Sequence, residues 1–435
     1  MKKYILRWII CALLFFPILL FAAGKVQTTG DITFAVLSDV HVMSPALLVK
    51  EGKAYEHFLA NDRKLSTESP VLMQEAVTEI LKAHPQFVLI CGDLTKDGEA
   101  VSHHYVVDKS LVRLKQAGIK VYVIPGNHDV NNPHAACFDG DSVKRVPTFT
   151  PDEFARCYTD YGYGDAIARD KFSLSYVAQL TDSIRLIAID ACRYEDNDFK
   201  KDQCITGGRI KPETLAFIKK QAQEAHDKGY KVIAMMHHGL VSHWKWQDKV
   251  MPQYLVDHWK KRVKFFKKND IRIVFTGHFH SQDISERHDV YDVETGSTIT
   301  YPCPYRLVTI GNNQMNIHSY YIKHIDYRLP DDESIQQFAS RFVRDKLFVG
   351  IIKRLPANYS DSCKVKIAEV ATDAYIANLA GDEHYTKQDK KEIKAASKML
   401  RHYSWKYAYL FSHLAKYVWN DQKPHDNECI IPFTR

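Results

Sequence analysis

Six short apolar runs, each closed by a polar or glycine-containing corner, constrain this 435-residue chain more than any other feature. They are ITFAVLS at 32–38, FVLICG at 87–92, VYVIPG at 121–126, IRLIAID at 184–190, KVIAMMHH at 231–238 and IRIVFTG at 271–277. Runs that are apolar on both faces need burial from two sides, which a sheet held between layers supplies. Helix-like patterns lie between several of them, at Thr67–Ala83, Ala100–Ala117 and Pro212–Lys228, the last opened by a proline suited to a first turn and stopped by Gly229. Alternation of this kind predicts a layered α/β sandwich.

Two further strand-like stretches, YRLVTI and QMNIHSYYI, follow Tyr301-Pro302-Cys303-Pro304. From about Pro330 the pattern turns to helical spacing with few β-branched runs, so residues 330–435 are expected to form a separate all-helical domain after a sandwich at 24–329. At the other end Lys2, Lys3 and Arg7 precede an apolar run from Trp8 to Phe21 and the small residues Ala22-Ala23-Gly24. That layout is a secretory signal at 1–23, implying export to the periplasm or medium and no membrane span once cleaved. Left uncleaved it would act as an anchor, although a span normally needs a longer charge-free stretch.

Loss of that segment lowers the net charge from +7 to +4, and no block of lysine or arginine suggests a nucleic-acid tail. No nucleic-acid polymer is therefore expected as a partner. WKKRVKFFKK at Trp259–Lys268 reads as an amphipathic helix with a solvated basic face. Eight cysteines follow the leader, an even number that permits disulfides in an exported chain. The sequence-near pairings are Cys192 with Cys204, Cys137 with Cys157, and Cys363 with Cys429, while Cys91 reads as a packed thiol. The absence of any CxxC pair argues against a zinc ribbon.

The corners that close the runs carry the chemistry. They read Asp39-Val40-His41, Gly92-Asp93, Gly126-Asn127-His128-Asp129, His237-His238 and Gly277-His278-Phe279-His280. A single Asp or His at a strand end is usually a cap or turn residue, but turn chemistry alone does not supply imidazole at four of five corners. In extended backbone, residues two apart face the same side, so His278 and His280 can address one object. Carboxylates, imidazoles and one amide form a donor set suited to Fe, Mn or Zn. Two such cations close together need a shared anionic ligand, and one carboxylate can bridge them.

The order D-x-H, G-D, G-N-H-D, H, G-H-x-H resembles the signature of the calcineurin-like metallophosphoesterases over roughly residues 32–320. The resemblance implies a four-layer α/β/β/α sandwich, two divalent or trivalent metal ions, and hydrolysis of a small phosphoester by metal-activated hydroxide. It implies Asp39, His41 and His280 on one metal, Asn127, His237 and His278 on the other, and Asp93 between them. It further implies that His128 faces the substrate and that Asp129 orients it. Spacing alone leaves His237 and His238 open as the ligand; the resemblance favours His237, with His238 near the substrate or merely packed.

Gly239 stands where many relatives have proline, and Lys96 stands where purple acid phosphatases carry tyrosine, which argues against iron-tyrosinate chemistry. Similarity to bacterial cyclic-nucleotide phosphodiesterase-like members favours a phosphodiesterase over a phosphomonoesterase or nucleotide pyrophosphatase on the same core. A non-catalytic scaffold keeping the fold is the alternative of another class. Asn131 and His134, close behind G-N-H-D, are candidate substrate residues. Asp97, Glu99, His103 and His104 read as loop, helix-start and surface positions, and Trp244 and Trp246 as aromatics that pack a loop or stack a base.

Overall fold

A computed structural model describes residues 31–420 and 423–433; the expected signal segment lies outside the described residues. In chain order the strands are β1 (Ile32–Leu37), β2 (Leu48–Lys50), β3 (Phe87–Ile90), β4 (Lys120–Val123), β5 (Ala136–Asp139), β6 (Ser142–Arg145), β7 (Ala168–Arg169) and β8 (Tyr176–Thr181). They continue with β9 (Ile184–Ile189), β10 (Lys231–Met236), β11 (Ile273–Thr276), β12 (Asp283–Arg287), β13 (Val290–Glu294), β14 (Pro304–Gly311), β15 (Gln314–Tyr321) and β16 (Glu428–Pro432). One sheet runs β16-β15-β14-β1-β3-β4, a second runs β12-β13-β11-β10-β9-β8-β7, and β2-β5-β6 make a small third. All six apolar runs are strands, and the two late stretches became β14 and β15.

The sandwich follows from side-chain alternation. Leu186, Ala188, Ile233 and Met235 join the core that also holds Phe34, Val36 and Leu89 of the first sheet. Their neighbours Ile187, Ile189, Ala234 and Met236 face the other way, onto Ile218 and Ala222 of helix Pro212–Asp227 and Val263 and Phe266 of helix Trp259–Lys268. Phe34 stacks on Phe87 at 4.7 Å and meets Phe275 of the opposite sheet edge-on at 5.4 Å. Helix Ser69–Ala83 covers the outer face of the first sheet through Met73, Val77 and Ile80. The expected helix at 100–117 is present, with one wider π-type stretch at Val107–Leu111.

Each sheet contains three neighbouring parallel strands: β1, β3 and β4 at one side of the first, and β9, β10 and β11 in the middle of the second. The loops after them therefore leave at one edge, the place where sites of layered α/β proteins form.

Helices follow Pro330 as expected, at Ile335–Arg354, Asp361–Ala380, Lys387–Arg401 and Trp405–Val418. A strand, β16, follows these helices, which departs from the expected all-helical character. β16 pairs antiparallel with β15, burying Cys429 and Ile431, and these helices cluster in one compact unit with everything from Ile32 onward. Five residues with period-two burial are too short to stand out in a helical tail. No helix among the described residues is long and apolar enough to cross a membrane.

The suggested disulfides are absent: all eight cysteines among the described residues are free thiols. Cys192 donates to the Pro125 carbonyl at 3.2 Å while Cys204 donates to Asn132 Oδ1 at 2.8 Å, so each thiol of the nearest pair in sequence has its own partner along the segment between β4 and β5.

His103, read from the sequence as a surface residue, is fully buried, whereas His104 is exposed. Its ring stacks on Phe149 at 4.5 Å and bonds the Tyr158 hydroxyl (2.8 Å) and the Asp129 carbonyl (2.9 Å). Burial drives its pKa down to about 3. The unfolded chain, with an ordinary histidine near 6.5, binds the proton that the folded state refuses. This contribution to stability is intact above about pH 6.5 and is lost as pH falls towards 3, by up to about 4 kcal/mol. Urea melts across pH 7 to 4 should show that loss, and His103→Phe should flatten the slope.

Candidate metal centre

Each predicted ligand sits on a loop leaving the shared edge of the two sheets. The backbone there is unusual: Asp39 (φ 52°), His41 (38°), Asp93 (52°), His278 (79°) and His280 (67°) all occupy the left-handed region. Non-glycine residues rarely adopt it, and each such residue costs on the order of 1 kcal/mol, so five at one place mark a site that the surroundings hold in position. Backbone pairing provides the hold, from Asp39 N to Gly92 O (3.0 Å), His41 N to Asp93 O (2.9 Å) and Val42 N to Leu94 O (3.0 Å). The motif glycines make room. A Cβ on Gly277 would overlap Ser38 and the Asp39 carboxylate, and one on Gly126 would overlap the Asp93 carboxylate.

Both carboxylates are divided in their duties. Asp39 Oδ2 accepts from the His278 backbone N–H (2.9 Å) and Ser38 Oγ (2.5 Å), while its buried Oδ1 has no hydrogen-bond partner. Asp93 Oδ1 accepts from His128 N (2.9 Å), which leaves Oδ2 3.5 Å from His41 Nε2 and 3.3 Å from His237 Nε2. The free oxygens point inward, among imidazoles.

The histidines are oriented from behind. His237 Nδ1–H donates to the Cys91 carbonyl at 2.8 Å, so its Nε2 is the ring nitrogen turned towards Asp93 Oδ2 and Asn127 Oδ1, the latter at 3.2 Å. His278 Nε2–H donates to the Gln253 carbonyl at 3.2 Å, leaving Nδ1 as its free lone pair. His41 Nε2 lies 3.2 Å from His280 Nε2, and His280 Nε2 lies 3.3 Å from Asp39 Oδ1. Among the described residues three groups have ligand atoms within 4.8 Å of one another: Asp39–His41–His280, Asp93–His237–His278, and His41–Asp93–His128, which links the first two.

Electrostatics agree with a missing positive charge. Burial lowers His237, yet Asp93 outweighs it and lifts that imidazole to about 10. Burial raises Asp93, yet His237, His128 and His41 pull it well below the carboxylate range. A buried cluster of carboxylates is balanced by cations, and protons on imidazole are the available ones in the protein alone. An orphaned Asp39 oxygen, two ring nitrogens facing each other and one carboxylate between two clusters fit a pair of cations. The donor set is oxygen and imidazole nitrogen, as Fe, Mn or Zn prefers.

His128 lies beside this cluster, its ring 4.8 Å from that of His41, and lines the cavity above it. The residue that orients it is not Asp129. His128 Nδ1–H is shared between the Lys96 carbonyl (2.8 Å) and Asp97 Oδ1 (2.9 Å). Asp97 is in turn paired with buried Lys96 at 2.5 Å, and Lys96 with Glu99 at 2.9 Å. Burial alone would raise Asp97, but Lys96 holds it well below the usual range. Asp129 instead accepts from Leu94 N (3.1 Å), Thr95 N (3.0 Å), Thr95 Oγ1 (3.0 Å) and Gly126 N (2.8 Å), clamping the loop after β3 to the loop after β4. Adjacency in G-N-H-D points the wrong way because His128 and Asp129 project to opposite sides of a tight turn.

A cavity of about 270 Å³ opens over the cluster, reaching Asp93, Asn127, His128, His278 and His280. The suggested substrate residues are not in its walls. His238 is fully buried and bonds the Thr206 carbonyl at 2.9 Å, the packed alternative. His134 turns outward to the Asp202 carbonyl at 3.0 Å, and the Asn131 backbone is occupied with Phe149 and Asn197. The walls are instead Arg63 and Lys64 on one side and Tyr254, Val343, Leu347 and Tyr375 on the other. Lys64 Nζ stands 3.4 Å from His41 Nδ1. The sequence carries no motif at Arg63-Lys64, and Val343, Leu347 and Tyr375 have the spacing of ordinary helix residues. Trp244 is buried, and Trp246 packs on His413 and Tyr417, the loop-packing alternative.

The family model for calcineurin-like phosphoesterases matches residues 32–282, more than half of the chain and all of the ligand loops. The chain belongs to this family. No curated protein matches it in sequence. Among solved structures it is similar to a dimetal phosphatase from Danio rerio (13% identity, 67% of this chain and 96% of that one, TM-score 0.47). It is also similar to GAP50, the anchor in the inner membrane complex of Plasmodium (11%, 68% and 87%, 0.37), and to the phosphopantetheinyl hydrolase of Mycobacterium tuberculosis (9%, 61% and 90%, 0.29). The family match carries the assignment; these distant likenesses carry no further argument.

The roles of the two aspartates separate experimentally. Asp129→Ala strands three buried backbone N–H groups and should cost about 3 kcal/mol in a denaturant melt. Asp97→Asn should lower kcat about 10- to 100-fold with a much smaller stability change. The reverse pattern would return the orienting role to Asp129.

Proposed function

We propose that this calcineurin-like phosphoesterase is a two-metal phosphodiesterase acting on a small organic phosphoester, nucleotide or cyclic-nucleotide in type. The observation that carries the reading is the convergence of seven donors beneath a cavity that also holds His128, with Asp93 Oδ2 3.5 Å from His41 Nε2 on one side and 3.3 Å from His237 Nε2 on the other. Asp39, His41 and His280 would hold one cation, and Asn127, His237 and His278 the other, with Asp93 between them. Bound there, the ions would supply Lewis acidity and an activated water for in-line attack at phosphorus.

The remaining work falls to side chains. His128, steered by Asp97 and the Lys96 carbonyl, presents its other ring nitrogen to the cavity and can hand a proton to the departing oxygen. Burial opposes protonation of that ring, but Asp93 and Asp97 overcome it. Arg63 and Lys64 neutralise phosphate oxygens, and Tyr254, Val343, Leu347 and Tyr375 shield the organic group from water. An apolar wall beside the metals suits an ester with a second organic substituent. The charge of Arg63 and Lys64 also supports a second reading, a phosphomonoester or nucleotide pyrophosphate carrying more negative charge. A scaffold role has no support from the donors, since none is missing. The basic and apolar N-terminal sequence supports export to the periplasm or medium.

Rates on the metal-loaded protein should favour an activated diester over the matching monoester by at least about tenfold in kcat/KM, a margin of ~1.4 kcal/mol. A preference for the monoester or for a dinucleoside polyphosphate would select the second reading. Asp93→Ala should abolish turnover and remove most bound metal, read by elemental analysis, because both cations lose a ligand.

A further inference from the structure

The last two helices carry a feature that the phosphoesterase chemistry does not use. Residues 387–418 hold eight lysines and arginines against two acids, a net charge of +6 in a chain whose total is +7. Helices Lys387–Arg401 and Trp405–Val418 pack side by side and enclose a groove of about 990 Å³, separate from the metal cavity. Lys390, Lys394, Lys398 and Arg401 line one wall at helical spacing, Lys416 adds a fifth cation from the facing helix, and no acidic side chain is in the lining. None of these five makes an ion pair with a described acid. Trp405, Tyr409 and Tyr417 line the opposite wall, and Trp405 is 75% exposed.

The geometry points to a binding groove for single-stranded nucleic acid, independent of the reading of the metal centre. Cations four residues apart on a helix repeat about every 6 Å, and the row from Lys390 to Arg401 spans roughly 16 Å, enough for several successive phosphates. Aromatic side chains across the groove offer flat faces to bases of any sequence, the arrangement by which such strands are held without base readout. The other polyanion of comparable reach is an anionic bilayer, and the shape disfavours it: the cations and aromatics line a concave groove, which receives a strand and not a flat lipid surface.

The groove also touches the phosphoesterase body. His413 and Tyr417 pack on Trp246 at 5.9 and 5.1 Å, at the start of the loop that ends with Tyr254 in the metal cavity wall. The expectation of no nucleic-acid partner rested on the lack of a basic block. These cations are scattered at helical period among alanines and serines, and only folding collects them.

Fluorescence anisotropy of a labelled oligo-dT of about 20 nucleotides with the full chain tests this. Binding should weaken roughly 50-fold between ~50 and ~200 mM salt, as about four phosphate contacts require. The double variant Lys394→Glu, Lys398→Glu should lose more than about tenfold in affinity. Trp405→Ala should lose about 5- to 10-fold at unchanged salt slope. All variants should keep wild-type turnover of a small activated ester, which shows that they fold and separates this test from that of the metal centre. Absence of binding would overturn the proposal, as would binding indifferent to Trp405→Ala, the mark of an unspecific cation patch. Co-sedimentation with phosphatidylglycerol vesicles in place of oligonucleotide binding would also overturn it and assign the groove to a bilayer.

Discussion

Two buried carboxylates, each with one oxygen pinned by a backbone N–H and the other left for something outside the polypeptide, are the constraint on which the centre depends. Asp39 is tied to the loop of His278, and Asp93 to the loop of His128, so each acid joins two strand ends while aiming its second oxygen inward. A free buried carboxylate oxygen is costly unless a cation meets it. The parallel strands bring the loops to one edge, the glycines let them touch, and left-handed backbone at five ligand positions turns the side chains inward. Removing either carboxylate would unbalance the imidazoles as well as the ligand count.

The C-terminal helices belong to the same machinery. Val343, Leu347 and Tyr375 form a cavity wall, and Lys346 donates to the Leu59 carbonyl at 2.6 Å, near the Arg63-Lys64 loop. Directly after the ligand His280, Ser281 bonds Asn378 at 3.0 Å and the Gln282 N–H donates to the Leu379 carbonyl at 3.2 Å. β16 then returns the chain to the first sheet. The helices thus brace the histidine loop and line the cavity over it, which makes them part of the candidate site and not an appendage.

Much of this was legible in the residues. The six apolar runs predicted strands because burial on two faces leaves a continuous signal, and the helix Trp259–Lys268 matched its amphipathic pattern end to end. Six of the seven donors were legible because each stands beside a glycine, a strand end or another donor within a few residues; between His237 and His238 spacing left the choice open, and the family resemblance favoured His237. The partner of His128 was not. Asp97 and Asp129 are both close in sequence to motif residues, and only the path of the backbone decides which carboxylate faces the ring. His103 was misread for a similar reason, since a polar side chain at a helix start is buried or exposed according to what packs over it.

The sequence by itself determined the layer architecture and the set of metal-type donors, because both arise from local spacing: alternation within strands, and short motifs at their ends. Tertiary structure alone decided the walls of the cavity, the Lys96–Asp97–His128 relay and the cationic row facing Trp405 and Tyr409. Those features join residues tens to hundreds of positions apart, or gather charges that are diluted along a helix. Local spacing carries no record of such meetings; they arise only when apolar burial brings the elements together.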